Sequence, residues 1–176
     1  MKGLFCLSLI TAIALQVNAQ TSADEQAIRA NISTMQEGWN TKSGEKYASV
    51  FDEVHDFIVW NGYYFPNSTQ QMTMRTHQGL FDGVYKNYDI ALKVDKIKFL
   101  KPDIALTHVI GAGYTKGEAI PENPTVLMSI IMQKKGDSWK IISFHNLDLL
   151  LFDNKETMAH SPMPPQVMYA SWYKKQ

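Results

Sequence analysis

Apolar residues recur at helical spacing through Ile28, Ile32, Met35 and Trp39, so a first helix is predicted over about residues 23–39 with this stripe against a core. Ser22-Ala-Asp-Glu25 has the Ser-x-x-Glu form of a capping box and marks its start. Asn40-Thr-Lys-Ser43-Gly44 reads as a turn whose Ser43 caps a short second helix carrying Tyr47, Val50 and Phe51. The period then falls to two. Residues 54–60 read as a strand, Asn61-Gly62 as a hairpin turn, and Tyr63-Tyr-Phe65 as the return that Pro66 ends. Asn67-Ser68 cap a third helix, on which Met74, His77 and Phe81 share one face.

Four further strands follow, over about residues 88–100, 104–116, 125–134 and 138–146. Their connections are short enough for hairpins, which makes them an antiparallel meander. In the first of the four, Ile90, Leu92 and Val94 share one parity while Ile97 and Phe99 share the other, so a bulge is expected near Asp95-Lys96. In the last, Trp139, Ile141, Ser143 and His145 share one face that turns from apolar to polar, as a strand does between the base of a cavity and its mouth. Lys140, Ile142, Phe144 and Asn146 share the other. Its apolar members need a cover, and the expected one is a second copy of the sheet, giving a homodimer through the outer sheet face.

The two ends of the chain change the picture. Met1-Lys2 is a positive start, the apolar run from Gly3 to Leu15 is too short to span a bilayer, and Val17-Asn18-Ala19 suits signal peptidase. Residues 1–19 therefore read as a signal peptide cleaved after Ala19, which makes the protein periplasmic or secreted. Cys6 is the only cysteine, so the mature chain lacks a thiol, and disulfides, a cysteine nucleophile and thiolate metal sites are excluded. Residues 20–149 form one domain, in a chain that from Gln20 to Gln176 is long enough to bury roughly 70% of its unfolded surface. Residues 150–176, with Val167, Met168, Tyr169, Trp172 and Tyr173, form an extension that packs on the domain or its partner. Without Lys2, the balance of 17 basic and 17 acidic residues leaves one acidic charge in excess. No nucleic-acid partner and no membrane anchor are expected.

Helix, helix, strand, helix and four antiparallel strands is the order of the nuclear transport factor 2-like cone, the fold of ketosteroid isomerase, scytalone dehydratase and the SnoaL cyclases. Trp39-Asn40, Tyr47-Ala-Ser-Val-Phe51, His77-Gln-Gly-Leu-Phe-Asp-Gly83, Pro102-Asp-Ile-Ala-Leu-Thr-His108 and Trp139 through Asn146 sharpen the likeness. They resemble the SgcJ/EcaC branch of that superfamily across nearly all of residues 24–148. The resemblance implies an α+β, cystatin-like cone: three N-terminal helices packed on a strongly curved, mostly antiparallel sheet. The extension inherits nothing from it.

Imidazole is the usual acid or base near neutral pH, so His145 and His77 are the candidate catalytic residues. Trp39, Trp60, Phe81, His108 and Asn146 are the candidate lining of a pocket, with Asn146 or a tyrosine hydroxyl placed to steady an oxyanion. No Asp or Glu except Asp95 lies on an otherwise apolar strand face, which leaves a carboxylate-based isomerase without support. No His-x-His or His-Glu-x-x-His spacing exists, so no metal site is expected, nor any cofactor. Two functions stay open. One is a binding or accessory protein holding a small, mostly apolar molecule; the other is a lyase- or isomerase-type enzyme that moves a proton with pocket histidines.

Overall fold

The structure, a computed structural model, describes residues 4–149, 152 and 154–174, with side chains from Ser22 onward. The signal-peptide assignment rests on residues outside that range or on side chains outside it. Helix α1 spans Leu4–Asn40, so the predicted boundary at residue 23 is not a helix end here. The apolar residues before Ser22 have helical propensity of their own, and a capping box acts only where the backbone breaks. Among the described residues no helix is long and apolar enough to cross a membrane.

Ser43 caps α2 (Gly44–Ala48) as expected, its Oγ accepting from the Lys46 N–H at 3.1 Å. The helix is shorter than predicted, because Phe51 already belongs to strand β1 (Phe51–Ile58). Strand β2 (Tyr64–Thr69) runs through Pro66 instead of ending there. It is an edge strand, where a proline has a free side to turn to solvent. The cap of α3 (Gln70–Asp82) is correspondingly Thr69, whose Oγ1 accepts from the Met72 N–H, and not the Asn67-Ser68 pair.

The meander forms as β3 (Tyr88–Lys101), β4 (Ile104–Thr115), β5 (Val126–Lys135) and β6 (Ser138–Asp148). The six strands make one curved sheet in the order β2-β1-β6-β5-β4-β3, antiparallel except for the β1–β6 pair. The register of β3 on β4 shifts between Val94 and Lys96, which is the predicted bulge. A second shift, in β6, was not predicted: Met132 faces Ile141 but Ile131 faces Ser143, so Ile142 has no partner. Beyond that point the faces are opposite to simple alternation. Phe144 is buried inside with Trp139 and Ile141, while His145 is exposed outside.

Helix α1 lies along the free edge of β3 and satisfies its backbone. Asn40 pairs with both the N–H and the carbonyl of Ile90, Gln36 accepts from the Leu92 N–H, and the Trp39 indole donates to the Tyr88 carbonyl. An edge so occupied is closed to a further strand. At the base, Asp24 of α1 accepts from the Trp139 indole at 3.0 Å and from the Lys134 ammonium at 2.7 Å. Burial raises the Asp24 pKa, but these two donors outweigh it and hold the carboxyl below its usual value.

The extension packs on the domain. Tyr169 and Leu149 are buried with Ile110 on the outer face of the sheet, beside Leu127 and Trp172. The Trp172 indole donates to the Glu122 carbonyl, and Tyr173 and Asn123 share a hydrogen bond, so this tail straps down the β4–β5 loop.

Candidate functional site

A cavity of about 420 Å³ opens between α1, α3, the β1–β2 hairpin and the inner face of the sheet. Aromatic rings are prominent in its wall. Phe57 and Phe144 stack at 4.6 Å, and Trp39, Trp60, Phe65 and Tyr85 continue it toward the mouth. This size and character suit a small organic ligand.

His77 lines the cavity from α3 and is 7% exposed. Its Nδ1–H donates to the Thr73 carbonyl one turn earlier at 2.8 Å, which fixes the tautomer and leaves the Nε2 lone pair as the ring's free position. Tyr47 stacks on the ring at 4.0 Å, with Phe57 and Phe81 at 5.7 and 5.9 Å. Burial among these rings pushes the His77 pKa down to about 4; the Thr73 bond pulls upward and nearby His55 pushes further down. His77 is therefore neutral at pH 7 and an acceptor. The same burial drives the Tyr47 phenol well above its ordinary pKa.

His55 had no context in the sequence, yet it is a buried neighbour of the site. Its Nδ1–H donates to the Asp52 carbonyl at 3.0 Å, and its Nε2 accepts from the Thr73 hydroxyl at 2.8 Å. Desolvation lowers its pKa, against the pull of the Asp52 carbonyl and of Asp52 and Asp56. Thr73 is thus held at both its polar groups, and with it the helical turn that aims His77.

Two polar residues of β6 complete the cavity. Asn146 and Asp148 line it, two residues apart on the inner face. The Asn146 Oδ1 is buried with no hydrogen-bond partner among the described residues. Asp148 lies near enough to the Tyr88 phenol that its charge, after burial and Tyr85, raises the Tyr88 pKa. Asp148 lies past the predicted end of the last strand at residue 146, and its place two residues beyond Asn146 is the signal that would find it.

Of the predicted residues, His77, Trp39, Trp60 and Asn146 meet at the cavity. His145 does not: the Ile142 bulge turns it to the outer face, where it is exposed opposite Ser129. His108 lies on that outer face too, sharing a 3.3 Å hydrogen bond with Ser129, so it is not pocket-lining. Phe81 is core, 1% exposed behind Trp39 and His77, because α3 rotates His77 to the cavity and the residue one turn on against α1 and α2. The three histidines do not converge. Among the described residues no three His, Cys, Asp or Glu side chains are grouped to hold a metal ion.

A curved sheet wrapped by N-terminal helices around an aromatic cavity defines the cystatin-like, or nuclear transport factor 2-like, class of cone. A domain of unknown function with a cystatin-like fold from Nostoc punctiforme is 30% identical, with a TM-score of 0.64 over 71% of this chain and 76% of its own. The chain belongs to that cystatin-like family. A nuclear transport factor 2-like protein from Shewanella oneidensis, 17% identical, has a TM-score of 0.59 over 71% of this chain and 99% of its own. A hexachlorocyclohexane dehydrochlorinase from Novosphingobium barchaimii, 10% identical, has a TM-score of 0.60 over 75% of this chain and 90% of its own. These last two share the fold alone. No protein-family model and no curated protein matches the chain.

Proposed function

We propose that the cone binds a small, flat, mostly apolar molecule in a binding or accessory role, within the SgcJ/EcaC-like branch that the sequence segments resemble. The observation that carries this reading is the ring-walled cavity with few polar groups set into it. The dehydrochlorinase of the same fold acts, by its name, on an apolar ring. A second reading has one observation of its own: neutral His77 keeps Nε2 free for the cavity, as a base that abstracts a proton must. In that reading the cone is a lyase- or isomerase-type enzyme with His77 working alone among the histidines.

One titration separates the two. 2-Tetralone added in deuterated buffer should bind saturably at one molecule per chain, followed by the fluorescence of Trp39 and Trp60. Val126→Trp, which fills the cavity wall, should abolish that binding while the fold persists. Non-saturable binding, or binding indifferent to Val126→Trp, rejects the cavity as the site. Under the second reading the protein also speeds deuteration beside the carbonyl, and His77→Gln slows it about a hundredfold.

The proposal extends to assembly and location. Leu106 and Ile131 face each other on the outer face of the sheet, half-buried, beyond the end that the extension covers. A second copy seated there would complete their burial, without Phe144, which points inward. Native mass spectrometry of protein recovered from its own compartment should give subunits that begin at Gln20 and a particle of two subunits. A subunit mass retaining Cys6 removes the export reading, and a lone subunit removes the dimer.

A further inference from the structure

The cavity is lined by side chains that can donate, among them Ser68, Thr76, Tyr85 and Tyr88, and by two acceptors, His77 Nε2 and Asn146 Oδ1, that have no donor among the described residues. Its lining among the described residues holds one carboxylate, Asp148, and no lysine or arginine. Lys42 is committed elsewhere: its ammonium donates to the Tyr88 carbonyl at 2.7 Å and to the Asp89 carboxylate at 3.0 Å. His77 cannot donate inward, because its one N–H is spent on the Thr73 carbonyl and Nε2 offers a lone pair. Thr73 gives its hydroxyl hydrogen to His55, whereas Thr125, which accepts from the Gly113 N–H, keeps its own hydrogen to give. The Asn146 Oδ1 adds a buried acceptor without a donor. An anion entering here would shed its water into a largely apolar cavity whose described lining holds no lysine or arginine to replace it, an unfavourable exchange. An O–H on a flat ring would instead supply the hydrogen that Nε2 lacks while its ring lies among Trp39, Tyr47, Phe57 and Phe144.

We infer that the cone selects an uncharged aromatic alcohol, whose hydroxyl donates to His77 Nε2, and excludes carboxylates and phosphates. This deepens the reading of the cone as an apolar-ligand site and rests on it.

Four probes of one shape test it by calorimetry: naphthalene, 2-naphthol, 2-methoxynaphthalene and 2-naphthoate. 2-Naphthol should bind about tenfold more tightly than the methoxy ether or naphthalene, since only it carries the donor. 2-Naphthoate should bind at least tenfold more weakly than naphthalene. In His77→Phe, which keeps a ring against Tyr47, the preference for the alcohol over the ether should disappear. An ether equal to the alcohol, a naphthoate as tight as naphthalene, or an alcohol preference that survives His77→Phe overturns the inference while leaving the apolar-ligand site standing. Failure of all four probes overturns both. The comparison among probes on the unmodified protein decides the matter even if His77→Phe does not fold.

Discussion

Between pH 6.5 and pH 4 the protein should lose about 3 kcal/mol of stability, and most of that loss should be missing from His77→Phe. His77 in the unfolded chain takes up a proton near the ordinary imidazole value of 6.5, whereas in the folded protein it refuses one until about 4. Between those values the unfolded state binds more protons, so stability is fully present above pH 6.5 and drains as pH falls through the window, by about 1.4 kcal/mol for each unit. His55, lowered in the same direction, contributes to the same drain. Asp24 does not, because its carboxyl is held below 3.8 and titrates under the window. Urea unfolding of both proteins at pH 7, 5.5 and 4 reads the effect. A flat wild-type profile, or an equally steep one in the variant, would contradict the burial of a neutral His77.

Gly38→Ala should destabilise the protein by about 3 kcal/mol and loosen the cavity with it. A Cβ at this position would stand 2.4 Å from the Tyr47 nitrogen and 2.7 Å from its Cα, both backbone atoms with no side chain to yield. The two helices must therefore part. Intrinsic helix propensity pushes the other way, favouring alanine in a helix by about 1 kcal/mol, so even the sign of the result is informative. Since Tyr47 is stacked on His77, separation of α1 from α2 also withdraws one wall of the site. Thermal unfolding and binding of 2-naphthol should fall together in the variant. A neutral or stabilising alanine would show that the close approach of the helices is not a constraint.

The fold was legible because its signals were local. A cap at Ser43, the Asn61-Gly62 turn and the short links of the meander each act over a few residues, and each is found in the structure at or near its predicted place. The two bulges show where legibility stops. At Asp95 the apolar series changes phase, from Ile90, Leu92 and Val94 to Ile97 and Phe99, and the extra residue is visible. At Ile142 it leaves no such mark, because Trp139, Ile141, Ile142 and Phe144 are bulky and apolar on both parities. Simple alternation therefore carried His145 inward, when the pairing with β5 carries Asn146 and Asp148 inward instead. His77 was legible because its helix has no such irregularity, and a period of 3.6 placed it correctly. His55 was not, since Val54 and Asp56 beside it gave no apolar run to measure against.

Ile142 behaves as an insertion that the sheet has absorbed. With it set aside, Trp139, Ile141, Phe144, Asn146 and Asp148 alternate as in any half-buried strand. A relative lacking that one residue keeps the same side chains in its cone, but aligned to this chain without a gap it sets its inward residues against outward ones, and His145 takes the place that belongs to Asn146. An added residue a few positions later has the contrary effect, exchanging the contents of the cavity for those of the outer surface while every amino acid stays as it was. Within this strand, length changes of a single codon are thus a route to a new cavity chemistry that point substitutions would reach only in several steps.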